Sequence, residues 1–112
     1  MKKIEAIIRH GRLEAVRKAL QTLGIRGMSI TEIQGLGEQE GFAEVYRGVR
    51  YDIKFLPKIK LELIIDDNLV DTCVTVICET ARTGEIGDGK IFIYDVQQVI
   101  RIRTGEYDQE AL

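Results

Sequence analysis

Residues 58–65 read KIKLELII, with Ile59, Leu61, Leu63 and Ile65 on one side of an extended chain and Lys58, Lys60 and Glu62 on the other. A segment of this kind is satisfied only in a sheet that has one packed face and one face carrying charge. Residues 2–9 repeat the pattern, with Ile4, Ala6 and Ile8 set against Lys3 and Glu5. Met28–Ile33, after Gly27, and Ile91–Tyr94 supply two more runs rich in β-branched or aromatic residues. Two helical patterns lie between them. Leu13, Val16, Leu20 and Leu23 recur at spacings of three and four and stop at Gly24. Val70, Cys73, Val74, Ile77, Cys78 and Ala81 form a second stripe that runs up to Gly84, with Asp66-Asp67-Asn68 in front as capping groups.

The order is strand, helix, strand, strand, helix, strand, which predicts an α+β chain with the split βαβ arrangement of the ferredoxin-like fold and a four-stranded antiparallel sheet. The two crossovers share one handedness, so both helices return over the same face. The other face stays uncovered. Ile64, Phe92 and Tyr94 fall out of phase with the helix-facing set, so that face is partly apolar and calls for a partner, of which a second copy is the simplest.

A chain of 112 residues is expected to form one domain, 1–112, burying about 65% of its unfolded surface. Its net charge of −2 and pI near 5.5 argue against broad contact with nucleic acid. No apolar run approaches the ~20 residues needed to span a bilayer, and Met1-Lys2-Lys3 leads into a strand pattern, so a cytoplasmic protein without membrane insertion is expected. Cys73 and Cys78 are five positions apart, about 140° around a helix, which suits reduced thiols better than a disulfide. His10 is the single histidine, so no histidine cluster for a metal exists.

Two stretches exceed what the fold needs. Residues 37–55 join strands that a two-residue turn could have joined; they read as a mobile effector loop, or as a protruding hairpin with Val45-Tyr46-Arg47 and Val49-Arg50-Tyr51 around Gly48. Residues 84–90 read G-x-x-x-x-G-K, the outline of a P-loop. A P-loop needs Ser or Thr after the lysine and then a helix, whereas Ile91 and a strand follow here, so P-loop hydrolysis is rejected. Gly84, Gly87, Gly89 and Lys90 fit either a nest of N–H groups converging on an anion or a turn that needs positive φ. In VIRIR, alternation sets Arg101 and Arg103 on one face, a pair suited to a polyphosphate.

GMSITEIQGLG at 27–37, YRGVRYDIKFLPK at 46–58, ARTGEIGDGKIFI at 81–93 and VIRIRTGE at 99–106 together resemble the PII nitrogen-regulatory signal proteins, over the whole chain. The resemblance implies a homotrimer of ferredoxin-like subunits, sheets inward, with ATP and ADP competing for clefts between subunits. Gly27, Met28, Ser29 and Ile64 would surround base and sugar, with Gly35, Leu36, Gly37 and Glu38 alongside. Gly87, Asp88, Gly89 and Lys90, in the turn 82–90, would meet the phosphates, joined by Arg101 and Arg103 from the C-terminal segment 101–112. With Mg-ATP bound, 2-oxoglutarate would enter: Gln39 would ligate Mg, the backbone at Gln39, Glu40 and Gly41 would meet the oxoacid, and Lys58 would pair with its distal carboxylate. The 37–55 loop would then change its grip on nitrogen-metabolism partners such as an ammonium transporter, glutamine synthetase regulators, a sensor kinase or N-acetylglutamate kinase. Tyr51 matches the tyrosine that many members present for uridylylation or adenylylation. No catalysis is implied.

Departures from the family pattern are local. Glu38 stands where arginine is common and Glu40 where lysine is common. Losing one charge-assisted hydrogen bond weakens binding roughly 10- to 100-fold, so a nucleotide sensor without a 2-oxoglutarate response is the alternative. Arg9-His10-Gly11 replaces a basic-Pro pattern, and Val49 carries no hydroxyl for phosphorylation. An RNA-recognition module shares the strand order, but KIKLELII has no stacking aromatic. A small phosphatase of this fold would need a catalytic constellation, and Arg9–Arg12 shows none in sequence.

Overall fold

β1 (Lys2–Arg9) and β5 (Ile53–Ile65) occupy the middle of the sheet, β1 with the buried row Ile4, Ala6 and Ile8 and β5 with Ile59, Leu61, Leu63 and Ile65 on the same face. Their antiparallel register sets Ile4 opposite Leu63, Ala6 opposite Leu61 and Ile8 opposite Ile59. The computed structural model describes the backbone of residues 1–38, 44–46, 49–51 and 53–112, and the side chains of residues 1–35 and 55–112. β2 (Ser29–Glu38) flanks β5 and β6 (Gly89–Asp95) flanks β1, giving the order β2-β5-β1-β6 with every neighbouring pair antiparallel.

α1 (Leu13–Thr22) and α2 (Val70–Ala81) close the aliphatic face. Val16 and Leu20 of α1 and Cys73, Ile77 and Ala81 of α2 join Ile4, Ala6, Ile8, Ile59, Leu61, Leu63 and Ile65 in one buried cluster. Gly24, at φ 90°, ends α1 in the left-handed region where a side chain would be strained. Both cysteines are free thiols, Cys73 buried in this core and pushed to a raised pKa by burial. The architecture is the ferredoxin-like α+β fold expected from the strand and helix order.

The opposite face carries Lys3, Glu5, Lys60, Glu62, Ile64, Phe92 and Tyr94, the residues out of phase with the core row. Lys3 reaches Glu62 at 3.1 Å, Lys60 lies 3.5 Å from Glu62 and 3.9 Å from Glu5, and the Tyr94 hydroxyl donates to Glu5 at 2.9 Å. This face is therefore a charged lattice with apolar side chains at its margins: Ile64, Phe92 and Tyr94 are 37%, 44% and 46% exposed.

Three local expectations change. The strands expected at 28–33 and 58–65 run further, because β2 and β5 continue to pair through Gly35–Leu56, Leu36–Phe55, Gly37–Lys54 and Glu38–Ile53. Continued pairing satisfies backbone groups that a loop would leave to water. Pro57 sits just past the last β1 pair, where β5 has one neighbour and a missing N–H is tolerated. Beyond this ladder, β3 (Glu44–Tyr46) pairs with β4 (Val49–Tyr51), Tyr46 opposite Val49, as in the hairpin reading.

Secondly, the Asp66-Asp67-Asn68 stretch does not cap α2 with a side chain. A 3₁₀ turn, Asp67–Leu69, precedes the helix; Asp67 is held by the terminal amine of Met1 at 2.8 Å, and Asp66 accepts from Gln109 at 2.8 Å. The Met1 ammonium is a stronger claim on Asp67 than a helix N–H, and the Asp66 carboxylate is engaged by the C-terminal stretch. Thirdly, VIRIR is not a strand. Ile100 forms a single bridge to Tyr107, and the Gly105 N–H donates to the Arg101 carbonyl at 2.7 Å, closing a tight turn over 101–105. Alternation does not operate in a turn, so it no longer assigns Arg101 and Arg103 to one face.

Candidate functional site

α2 ends at Ala81, and the chain must reverse into β6 within a few residues. Gly84, Gly87 and Gly89 make this possible, at φ 88°, 102° and 102°. Gly89 is required for a second reason: a Cβ there would lie 1.7 Å from the Ile7 carbonyl oxygen of β1.

Asp88 holds the turn. Its carboxylate accepts from the Thr83 N–H at 2.8 Å, the Gly84 N–H at 2.9 Å, the Thr83 hydroxyl at 2.5 Å and Arg9 Nε at 2.9 Å. The Thr83 hydroxyl, then Arg9 and the Thr83 and Gly84 N–H groups, keep this carboxyl far below the usual carboxylate range. Two N–H groups of the turn, those of Thr83 and Gly84, converge on one point, and an internal carboxylate fills it.

The depressed value has a direction in pH. A carboxyl whose folded pKa lies below its ordinary value of 3.8 contributes stability that is present above that value and is lost as pH falls beneath it. Thermal unfolding of the wild type is expected to weaken below about pH 4, and Asp88→Asn is expected to be less stable at pH 7 but to lose less on acidification. Equal acid slopes for the two proteins would contradict this.

Arg9 and Lys58 face each other as the last β1–β5 pair. Arg9 Nη2 donates to the Ile86 carbonyl at 2.8 Å, and the Lys58 ammonium donates to the Gly87 carbonyl. Lys58 is only 8% exposed; burial, and then the Arg9 charge, lower its pKa against the opposing pull of Asp88. Gly35 on β2 makes room for it, since a Cβ at Gly35 would stand 3.0 Å from Lys58 Cγ. Arg9, His10, Arg12 and Lys58, with Leu56 and Pro57, line a cavity of about 380 Å³. A wall of basic groups, with one ammonium held out of water, suits a small multivalent anion.

The residues singled out in sequence fall into two groups. Gly35, Lys58, Gly87, Asp88, Gly89 and Lys90 gather at this end of the sheet, with Leu36, Gly37 and Glu38 continuing β2 beyond it. Gly27, Met28, Ser29 and Ile64 lie away from it: Ile64 is in the row of Lys3 and Ser29 in the row of Glu5, whereas Gly89 is in the row of Ile8. Five residues of strand, about 17 Å, and two strand spacings, about 10 Å, separate Ile64 from Gly89; Ser29 is three rows and three strands from Gly89. Arg101 belongs with the far group, since the C-terminal stretch docks there through Gln109 on Asp66. Its guanidinium donates to the carbonyls of Leu112 at 3.0 Å and Ala111 at 3.4 Å and lies 3.9 Å from Glu106, while Arg103 is exposed in the turn. Gln39, Glu40 and Gly41 lie outside the described residues, and Tyr51 is placed by its backbone alone, opposite Glu44.

Arg9, His10, Arg12 and Thr83 are residues that sequence reasoning did not assign to the site. A signal for Arg9 existed: it is out of phase with Ile4, Ala6 and Ile8, which places it on the face of Lys58. Thr83 carried none, because its role depends on a carboxylate five positions later in a reversing turn.

Fold and site together define a small ferredoxin-like domain with a cation-lined cleft beside a glycine turn that two of its cations hold. The family model described as Nitrogen regulatory protein P-II matches residues 1–106, and the chain belongs to that family. It is 56% identical over 112 residues to Nitrogen regulatory protein P-II 1 of Escherichia coli (strain K12), with all of both chains covered. Nitrogen regulatory protein P-II of Pasteurella multocida (strain Pm70) is 55% identical, and that of Klebsiella oxytoca 56%, again over the full length of both. The chain is thus a signal-transducing regulatory protein, of a family that acts on partners. Among the described residues, no helix is long and apolar enough to cross a membrane.

Proposed function

We propose that this chain is a homotrimeric, cytoplasmic sensor that binds ATP and ADP in competition, takes up 2-oxoglutarate with Mg-ATP, and controls nitrogen-metabolism proteins through the 37–55 segment, without catalysis. The observation that carries this is the cluster of Arg9, Lys58 and the Gly87–Lys90 turn at one end of the sheet. In a chain of net charge −2, two cations of a basic cavity are here tied directly to a glycine turn, Arg9 through the Ile86 carbonyl and Lys58 through the Gly87 carbonyl. Lys58 suits a distal carboxylate: it is nearly buried, and one hydrogen bond to Gly87 leaves two of its three protons for a ligand.

The separation of the two residue groups supports a site shared between copies. Base-surrounding residues and phosphate residues this far apart serve one nucleotide most simply when one group comes from each of two subunits in a closed ring. Phe92 and Tyr94 on the edge strand β6, with Ile64, provide apolar margin for such contacts. Arg101 must release the Ala111 and Leu112 carbonyls before it can meet a phosphate.

A nucleotide sensor without a 2-oxoglutarate response is the second reading, favoured by the acidic Glu38 and Glu40. Titration calorimetry with ATP, with and without Mg²⁺ and 2-oxoglutarate, separates the two. Mutual enhancement of ATP and 2-oxoglutarate is the expected result; ATP binding that ignores 2-oxoglutarate establishes the second reading, and no adenine-nucleotide binding ends both.

A further inference from the structure

We infer that Asp88 is a positioning residue for the nucleotide site and not a phosphate contact: with Thr83 and Arg9 it locks the 82–90 turn into the shape that offers backbone N–H groups to a ligand. The inference rests on the nucleotide reading above.

A carboxylate has about four acceptor sites, and Asp88 fills them with the Thr83 N–H, the Thr83 hydroxyl, the Gly84 N–H and Arg9 Nε. Nothing is left over for a ligand or its metal. An unsatisfied carboxylate beside a polyphosphate would repel it. Here Arg9 balances the charge at 2.9 Å, and the anion becomes an internal anchor.

The same two cations set the direction of the turn. Arg9 takes the Ile86 carbonyl and Lys58 takes the Gly87 carbonyl. In a planar trans peptide the C=O and the following N–H point opposite ways. Fixing those carbonyls toward Arg9 and Lys58 therefore aims the N–H groups of Gly87 and Asp88 away from the cations, onto the other side of the turn. The turn keeps this pose because Asp88 ties its end to its beginning at Thr83 and Gly84. Preorganised N–H donors are worth more than mobile ones, since ordering them costs nothing at the moment of binding. Positioning here means that Asp88 acts through the backbone of its own turn.

The test compares wild type with Asp88→Asn, Thr83→Val and the double variant, using calorimetry with ATP and competition by adenosine. Amide hydrogen exchange at Gly87–Lys90 and across β1 and β5 is followed in parallel. The expected result is a 10- to 100-fold loss of ATP affinity in Asp88→Asn, a smaller loss in Thr83→Val, and a double variant no worse than Asp88→Asn alone. Adenosine competition is expected to stay unchanged, with faster exchange confined to the turn. Tighter ATP binding by Asp88→Asn would mean that the carboxylate opposes phosphate, and overturns the inference. So does unchanged ATP affinity, or an equal loss for ATP and adenosine with faster exchange throughout the sheet. Thr83→Val removes one hydroxyl from an exposed position and keeps the question open to measurement if Asp88→Asn folds poorly. A wild type that binds no ATP sinks the nucleotide reading itself, whereas a binding wild type with an unaffected Asp88→Asn sinks only the role of Asp88.

Discussion

Replacing Gly89 by alanine is expected to pull β6 from β1 and to cost on the order of 3 kcal/mol or more. Two independent faults add at this position. The backbone sits at φ 102°, where a side chain is strained, and the new Cβ would fall 1.7 Å from the Ile7 carbonyl oxygen, a backbone atom that cannot swing aside. Relief requires the start of β6 to move off β1, which breaks the ladder at Ile8–Gly89 and Ile7–Lys90 and displaces Lys90 from the turn. Urea unfolding should show the loss of stability, and amide exchange should place it in 89–95. Gly11→Ala is the control: nothing lies within 4 Å of a Cβ there and φ is not positive, so a change within about 0.5 kcal/mol is expected. Equal effects of the two substitutions would refute the account of Gly89.

Replacing Lys58 by methionine is expected to separate stability from ligand response. Burial lowers the folded pKa of Lys58 below its ordinary 10.5, so the charged form costs stability at every pH below the folded value. That cost is relieved only as pH rises toward 10.5, well above neutrality. Methionine keeps the hydrocarbon that packs beside Gly35 and removes the charge, leaving the Gly87 carbonyl without its donor. The two effects oppose each other, so the unfolding midpoint at pH 7 should stay level or rise. Uptake of 2-oxoglutarate in the presence of Mg-ATP should fall about 100-fold or more, since the variant loses a desolvated, charge-assisted hydrogen bond. A variant that unfolds easily, or that responds to 2-oxoglutarate as wild type does, would remove Lys58 from the proposed role. A buried cation that burdens the fold is easiest to understand as one kept for a ligand.

Much of the fold was legible because its signals are periodic and local. Ile4-Ala6-Ile8 and Ile59-Leu61-Leu63-Ile65 have one packing solution, and the two helical stripes have another; together they leave few topologies. The ends of elements were less legible. β2 runs through Gly35 and Gly37 and β5 through Pro57, residues that read as punctuation, and the ladder between them persists because each backbone group has a partner across it. VIRIR alternates in sequence yet forms a turn, because the Arg101 N–H and carbonyl are taken by Glu106 and Gly105.

The site divides in the same way. Gly84, Gly87, Gly89, Lys90 and the two arginines could be named from the order of residues, since residue type and spacing bear directly on which anion they suit, whereas Lys58 was named through the family resemblance. Their grouping could not. That Arg9 faces Lys58 depends on the β1–β5 register, and the position of Arg101, with the C-terminal stretch and away from the turn, depends on how that stretch docks. Alternation in one segment decides which face a side chain takes. Only pairing between segments distant in sequence decides which side chains meet, which carbonyls an arginine and a lysine hold, and that Arg9 joins the Thr83 and Gly84 N–H groups on Asp88.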